Sequence, residues 1–228
     1  MTSTRYANRI EAAEQLADAI AALGLEAPLV LGIPRGGVPM AAVVAERLSA
    51  PLDVVLVHKL RAPGNPEYAI GAVDESGHVA LRASTGFTGH EPAVRKEIKT
   101  EQATLARRRR QYGQPAVDPA GRDVIIVDDG AATGATVQAA VEVLKKTAAA
   151  TVTAALGVAP AEVVESLRQN ADHVICPLMP EDFMSVGQFY GVFDPVSDET
   201  VAQTLQEHRR GHALSAPDDA REYPTRPH

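Results

Sequence analysis

Two adjacent carboxylates, Asp128 and Asp129, follow four apolar residues and precede a stretch of small residues and threonines. The apolar run, residues 124–127, predicts a strand buried on both faces, and open α/β sheets bind ligands at the carboxyl ends of such strands. Residues 130–136 lead into a predicted helix, whose first N–H groups and positive dipole end attract an anion. Small residues let a phosphate approach the backbone, and two threonines supply hydroxyl donors.

These residues predict a ligand with a phosphate at one end and a diol at the other. The helix start suits a phosphomonoester, and the carboxylates one residue upstream accept hydrogen bonds from vicinal hydroxyls. That combination describes ribose 5-phosphate. Two rival interpretations are weaker, because the chain has no G-x-x-x-x-G-K-[ST] of nucleotide hydrolases and no G-x-G-x-x-G after a strand. A solvated Asp-Asp turn is the plain alternative, and the strand–turn–helix context argues against it.

The elements around this string alternate between strand and helix, which predicts an α/β fold with a parallel sheet. Strands are predicted at 29–33, 53–58, 123–127, 152–158 and 173–177, and helices at 8–23, 38–48, 91–112, 137–148 and 161–169. Asn8 and Glu11 form a predicted capping pair for the first helix. Residues 59–66 are rich in Pro and Gly and are predicted to be irregular, and 68–73 with 78–81 predict a β-hairpin.

The string from Val124 to Thr136 resembles the motif of type I phosphoribosyltransferases that binds 5-phosphoribosyl-1-pyrophosphate (PRPP). Residues 32–39 and 66–73 resemble a bacterial branch of that family described only as predicted phosphoribosyltransferases. The resemblance implies a type I phosphoribosyltransferase fold, with a parallel sheet, flanking helices, a flexible β-hairpin loop and a small C-terminal hood. We expect a single domain over residues 1–210, with the loop at about 61–89, the hood at about 177–194, and a disordered tail at 211–228.

The resemblance also assigns roles to residues of this sequence. The acidic pair Asp128 and Asp129 would be catalytic, holding the ribose hydroxyls and, partly through PRPP and water, a Mg²⁺ ion. The 5-phosphate would bind to Gly130, Ala131, Ala132, Thr133, Gly134, Ala135 and Thr136. Pyrophosphate would bind to Pro34, Arg35, Gly36, Gly37, Lys59 and Arg61. A plain strand-to-helix turn explains the two glycines equally well.

In the hood, residues 180–187 resemble the segment that holds the acceptor base in 6-oxopurine enzymes, and Phe183 is expected to stack on a flat heterocycle. The alternative for the hood aromatics is simple packing. Ala132 stands where 6-oxopurine enzymes have an Asp proposed as general base, so the pattern is nearer the adenine type. The implied function is Mg²⁺-dependent transfer of the phosphoribosyl group from PRPP to a nitrogenous acceptor, a nucleobase. A non-catalytic PRPP sensor and a hydrolase acting on a ribosyl phosphate are the alternatives.

Composition limits the remaining possibilities. The chain has 228 residues, of which 45% are hydrophobic and 22% charged, and its net charge of −7 argues against a nucleic-acid surface. The basic run Arg107–Arg110 is interpreted as a solvated helix end, which the helix dipole favours, rather than as a nucleic-acid patch. A single cysteine, Cys176, and the lack of a long apolar run predict a cytoplasmic protein without membrane contact. A homodimer is the expectation of the family.

Overall fold

The structure is a computed structural model that describes residues 5–113 and 116–215. Within these residues the strands are β1 (Pro28–Gly32), β2 (Leu52–Val54), β3 (Val57–Ala62), β4 (Asn65–Asp74), β5 (Val79–Leu81), β6 (Asp123–Asp128), β7 (Thr151–Leu156) and β8 (His173–Ile175). The helices are α1 (Arg9–Ala21), α2 (Gly37–Arg47), α3 (Pro92–Gln111), α4 (Ala135–Leu144), α5 (Ala161–Arg168) and α6 (Asp198–Ser215). Two short 3-10 helices are formed by Ala83–Thr85 and Val186–Phe189.

The main sheet has five parallel strands in the order β2-β1-β6-β7-β8. Its middle strand β6 is apolar because helices cover both faces of the sheet. Ile125 packs into one core cluster with residues of α1 and α2, whereas Val124 and Ile126 pack into a second cluster with residues of α4 and α5. This architecture confirms the predicted α/β fold, and it brings the carboxyl ends of β1 and β6 side by side.

A second, antiparallel sheet of β3, β4 and β5 packs on α3 and α4. The predicted hairpin is confirmed as the pairing of β4 with β5, in which Val73 lies opposite Val79. The prediction that residues 59–66 are irregular is wrong, because they belong to β3, β4 and the turn between them, where Gly64 has a φ of +78°. Pro and Gly mark a tight turn inside a hairpin here. The predicted strand 53–58 is divided between β2 and β3.

The basic run at the end of α3 falls into different environments. Arg107 and Arg110 are exposed, and Arg108 donates from Nε to the Tyr112 hydroxyl at 3.2 Å. Arg109 is only 8% exposed and is ion-paired with carboxylates of β2 and of the β4–β5 turn. The prediction of a solvated helix end is therefore wrong for this residue, which lies on the core-facing side of the helix.

The C-terminal helix α6 packs against α2 and ends at Ser215, inside the segment predicted to be disordered from residue 211 onward. Adding a turn to an existing helix is much easier than starting one, which explains the continuation over residues 211–215. The rest of the predicted tail, 216–228, lies outside the described residues. Among the helices of the described ranges, none is long and apolar enough to cross a membrane.

Candidate functional site

The acid pair lies at the carboxyl edge of the main sheet, where β6 ends. Asp128 is the last residue of the strand, and its Oδ1 accepts a hydrogen bond from the Asp129 backbone N–H at 3.0 Å. The Gly157 N–H donates to the Asp128 carbonyl at 3.1 Å, and the Tyr190 hydroxyl donates to the Asp129 carbonyl at 2.5 Å. The backbone of the pair is thus fixed from two sides, which leaves its carboxylates in a defined position.

Burial changes the electrostatics of both carboxylates. Asp129 is 9% exposed, and Asp128 is partly buried. Burial, reinforced by the charge of Asp129, raises the pKa of Asp128 well above its ordinary value. Burial also raises the pKa of Asp129, although hydrogen bonds from Arg9 and its charge oppose the rise. Two carboxyl groups perturbed in this way at the edge of a sheet are candidates for ligand binding.

Arg9, in the first turn of α1, is a member of the site that the sequence does not indicate. Its Nε and Nη2 lie 2.9 and 2.8 Å from Oδ2 of Asp129, and its Nη1 donates to the Asp194 carbonyl at 2.8 Å. The guanidinium also lies over the Phe193 ring, 3.9 Å from its centroid. Asn8 caps α1 through Oδ1, as predicted, but Glu11 accepts from the N–H of Ala7 instead of Asn8. No pattern around Arg9 foretells a partner 120 residues away.

The loop predicted to bind the 5-phosphate leads from the acid pair into α4. Gly134 precedes the helix with a φ of +67°, a conformation that favours glycine, and no side chain caps the helix start among the described residues. The first N–H groups of α4 therefore remain available to an anion. Thr133 and Thr136 are both exposed at this end, so their hydroxyls are accessible to the same ligand.

The glycine loop after β1 lies directly on the acid pair. A Cβ added at Gly36 would come 1.9 Å from Oδ2 of Asp129, and one added at Gly37 would come 2.4 Å from the Val127 carbonyl oxygen. Gly37 is therefore required by the close approach of two backbones, and Gly36 by the close approach of the loop to the Asp129 carboxylate. Both requirements exceed what a plain strand-to-helix turn demands. The peptide bond between Pro34 and Arg35 is cis.

Arg35, the cation of this loop, forms a long ion pair with Asp198. Its Nη1 lies 3.9 Å from Oδ2 of Asp198, and both side chains are substantially exposed. Asp198 begins α6 and also accepts a hydrogen bond from the Tyr112 hydroxyl at 2.8 Å. An ion pair this long and exposed holds Arg35 only weakly, so its guanidinium is free to turn toward an anionic ligand.

Lys59 and Arg61 are exposed on β3 and line a cleft of about 460 Å³. Thr136 of the phosphate loop lines the same cleft, which also contains His58 with its Nδ1 2.5 Å from Oε2 of Glu101. The structure thus places the two cations next to the start of α4. The lining of this cleft does not include the glycine loop.

The hood is built from two distant parts of the chain. The N-terminal segment pairs with it, since the Tyr6 N–H donates to the Phe189 carbonyl at 2.8 Å and the Gly191 N–H donates to the Tyr6 carbonyl at 2.7 Å. The rings of Tyr6 and Tyr190 lie 5.4 Å apart, and both are buried. Phe183, predicted to contact the acceptor, is partly buried with its ring 5.3 Å from that of Phe189.

The chain is similar to known proteins in its sequence and in its fold. A family model described as a phosphoribosyl transferase domain matches residues 4–188, which is most of the chain. The chain belongs to this family.

Individual relatives agree with the family. Two proteins of Mycobacterium tuberculosis, "Putative phosphoribosyl transferase MT0597" of strain CDC 1551 / Oshkosh and "Putative phosphoribosyl transferase Rv0571c" of strain ATCC 25618 / H37Rv, are each 39% identical over 221 residues. The match covers 94% of this chain and 49% of each relative, so the chain spans about half their length.

A solved crystal structure, that of the protein TT1426 from Thermus thermophilus, has 43% sequence identity and a TM-score of 0.83. The match covers 89% of this chain and 98% of that one. The family model and the parallel sheet with flanking helices together confirm the predicted phosphoribosyltransferase fold, and this match shows that a solved structure shares it.

The fold of this phosphoribosyl transferase domain brings most of the predicted site residues to one edge of the sheet. The acid pair, the loop before α4 and the glycine loop meet there. Lys59 and Arg61 lie beside this group, because they line the same cleft as Thr136. Phe183 belongs to the hood, where its visible contact is with another aromatic ring. Arg9 is the addition that the structure makes to the predicted set.

Proposed function

We propose that this phosphoribosyl transferase domain transfers the 5-phosphoribosyl group of PRPP to a nitrogenous acceptor, a nucleobase, with release of pyrophosphate. The observation that carries the proposal is the meeting of three structures at one edge of the sheet: the buried acid pair, the uncapped start of α4 and the glycine loop resting on Asp129. Their chemistry suits a diol, a phosphomonoester and a pyrophosphate in turn.

The proposed role of each site residue follows from its charge. Asp128 and Asp129 accept hydrogen bonds from the ribose hydroxyls and stabilise the positive charge that develops at the anomeric carbon as its bond to pyrophosphate breaks. The N–H groups and threonine hydroxyls of residues 130–136 bind the 5-phosphate. Arg35, Lys59 and Arg61 neutralise the departing pyrophosphate.

Magnesium fits this donor set only as an ion shared with the substrate. In the described parts of the chain, no group of three or more His, Cys, Asp or Glu side chains could hold a metal by itself. Two adjacent carboxylates, Asp128 and Asp129, suit a Mg²⁺ that keeps several waters and takes further oxygens from PRPP. The ion would supply positive charge that helps pyrophosphate to leave.

The acceptor would lie between the acid pair and the hood, with Phe183 as its predicted aromatic contact. Ala132, exposed in the phosphate loop, carries no proton acceptor. This favours an acceptor that needs no base at that position, as in the adenine-type pattern. A cytoplasmic location and a homodimer, both expected from the sequence, are parts of the same proposal.

The test is a measurement of Mg²⁺-dependent pyrophosphate release from PRPP, with and without a panel of purines, pyrimidines and other nitrogen acceptors. The Asp128→Asn/Asp129→Asn double variant is the blank. Asp18→Asn, which alters an exposed carboxylate on α1, is the matched control. We expect the wild type to release pyrophosphate, and one class of acceptor to stimulate this release. The double variant should release none.

Each outcome has a distinct meaning. Release without any acceptor would indicate a hydrolase, with water in the acceptor position. Calorimetric binding of PRPP without release would indicate a sensor. A wild-type protein that neither binds PRPP nor releases pyrophosphate would contradict the proposed function.

A further inference from the structure

Arg9 contacts Asp129 at one carboxylate oxygen, Oδ2. Two of its nitrogens, Nε and Nη2, both lie within 2.9 Å of Oδ2. The ion pair is sheltered, because each side chain is only 13% exposed. An interaction between charges at this depth is screened much less than one at the surface.

The sheltered ion pair has a consequence for any cation that approaches the acid pair. A divalent ion beside Asp129 would lie a few ångströms from the guanidinium, and the repulsion between them would weaken its binding.

We infer that Arg9 is a positioning residue for Asp129 and that its charge lowers the affinity of the acid pair for a free divalent cation. The inference rests on the proposed function, which places the ribose diol and the cation at these carboxylates. It adds one residue, Arg9, to those that set the charge of the acid pair.

The surroundings of the guanidinium explain why an arginine suits this task. Its third nitrogen, Nη1, holds the Asp194 carbonyl at 2.8 Å, and its plane covers the Phe193 ring at 3.9 Å. A lysine has one charged nitrogen and could not make all three contacts together. Arg9 therefore has a fixed position between the acid pair and the hood, and its charge stays beside Asp129.

The experiment measures Mn²⁺ binding to the protein without PRPP, using the electron paramagnetic resonance signal of free Mn²⁺ at pH 8. The proteins are the wild type, Arg9→Gln, Arg9→Met and Arg9→Lys. Arg47→Gln is the control, because Arg47 forms an exposed ion pair with Asp18. Arg9→Met keeps an apolar side chain against Phe193, so a neutral variant remains available if Arg9→Gln does not fold.

We expect the neutral variants to bind Mn²⁺ about tenfold more tightly than the wild type, on the scale of one sheltered charge. Arg9→Lys, which keeps the charge, and Arg47→Gln should bind as weakly as the wild type. Adding Asp129→Asn to a neutral variant should abolish the gain. Folded neutral variants that bind Mn²⁺ no better than the wild type would overturn the inference.

The measurement uses neither PRPP nor turnover, so it is independent of the test of the proposed function. Failure of pyrophosphate release with tighter Mn²⁺ binding in the neutral variants would reject the transferase and keep the role of Arg9. Pyrophosphate release with unchanged Mn²⁺ binding in the neutral variants would support the transferase and reject the role of Arg9.

Discussion

Two arginines of this protein, the buried Arg109 and the partly buried Arg9, are each ion-paired with an aspartate, and their surroundings differ. Arg109 lies 2.6 Å from Oδ1 of Asp53 and donates to Glu75 from Nε at 2.6 Å and to the Val54 carbonyl at 3.0 Å. The remaining oxygen of Asp53, Oδ2, accepts from the Val117 N–H at 2.9 Å. Each of these charged groups thus has a protein partner, and the cluster joins β2, the β4–β5 turn and α3.

At the carboxyl edge of the sheet the pairing of charges is incomplete. Arg9 contacts Asp129, but Asp128 has no cation at hydrogen-bonding distance among the described residues, and burial raises its pKa. At Arg109, by contrast, burial opposes the charge, yet hydrogen bonds to Glu75 and Asp53 outweigh it and raise the pKa. A buried cluster in which each carboxylate is paired with a cation indicates scaffold, whereas a buried carboxylate without a cation indicates a candidate site for a ligand.

The largest expected effect concerns the scaffold cluster. Arg109→Met removes the cation of Glu75 and the nearer of the two cations of Asp53, which is 1% exposed; Arg209 remains 3.7 Å from Oδ1 of Asp53. The weakened pairing of these buried charges should lower the free energy of unfolding by about 3 kcal/mol, the lower end of the cost of breaking a buried ion pair. Urea denaturation checks this, with Arg110→Met as the exposed control that should change stability by less than about 0.5 kcal/mol. Equal stability of the two variants would mean that the cluster is not the scaffold described above.

The corresponding change in the site should affect rate instead of stability. Asp129→Asn removes a charge beside the developing cation and keeps the shape of the side chain. We expect pyrophosphate release to slow by about tenfold to a thousandfold, on the scale of single electrostatic groups. The urea midpoint should remain close to that of the wild type. An unchanged rate would contradict the role assigned to Asp129.

A change in the glycine loop tests whether the position of the acid pair matters as well as its charge. In Gly36→Ala the new Cβ would come 1.9 Å from Oδ2 of Asp129, so the loop or the carboxylate must move. A displacement of about 1 Å should reduce the rate by about a hundredfold. Gly211→Ala in α6 is the control, because its Cβ would meet nothing within 4 Å. If both variants turn over alike, close packing of the loop on Asp129 is irrelevant to activity.

The same contrast explains what the sequence could predict. Residues 124–136 are contiguous, so strand, acid pair and helix start follow from local pattern alone. The ion pairs do not, because Arg9 and Asp129 are 120 residues apart and Arg109 and Asp53 are 56 apart. A lone arginine on a helix carries no sign of its partner. The pairing of residues 6–7 with the hood is likewise a tertiary contact that periodicity cannot reveal.

Local signals also mislead where tertiary pairing decides the outcome. The Pro- and Gly-rich residues 59–66 predict irregular structure, yet pairing of Lys59 with Ala72 continues the strand on both sides of the turn. The turn of the β4–β5 hairpin is held by the ion pair of Glu75 with Arg109, a partner that no local signal indicates. Elements defined by their own residues were predictable, and those defined by a partner were not.

The smallest expected effect concerns Asp128, and its sign separates site from scaffold. Because burial raises its folded pKa, a bound proton favours the folded state. That contribution is fully present below the ordinary aspartate pKa of about 3.9 and is lost as the pH rises through the raised value. Asn has no proton to lose and keeps an oxygen for the Asp129 N–H. Asp128→Asn should therefore be more stable than the wild type by about 1 kcal/mol at pH 8, as is common when a functional group is removed.

The gain should shrink as the pH falls toward 4, and urea denaturation at a series of pH values checks it. Asp172→Asn supplies the opposite sign. Burial acts to raise the pKa of Asp172, but the hydrogen bond from Lys145 outweighs burial and lowers that pKa. The contribution of Asp172 to stability is therefore present at neutral pH and is lost in acid. This variant should be less stable than the wild type at pH 8. If Asp128→Asn is less stable than the wild type at pH 8, Asp128 belongs to the scaffold. Removing a carboxylate charge lowers the free energy of unfolding only where that charge stabilises the fold.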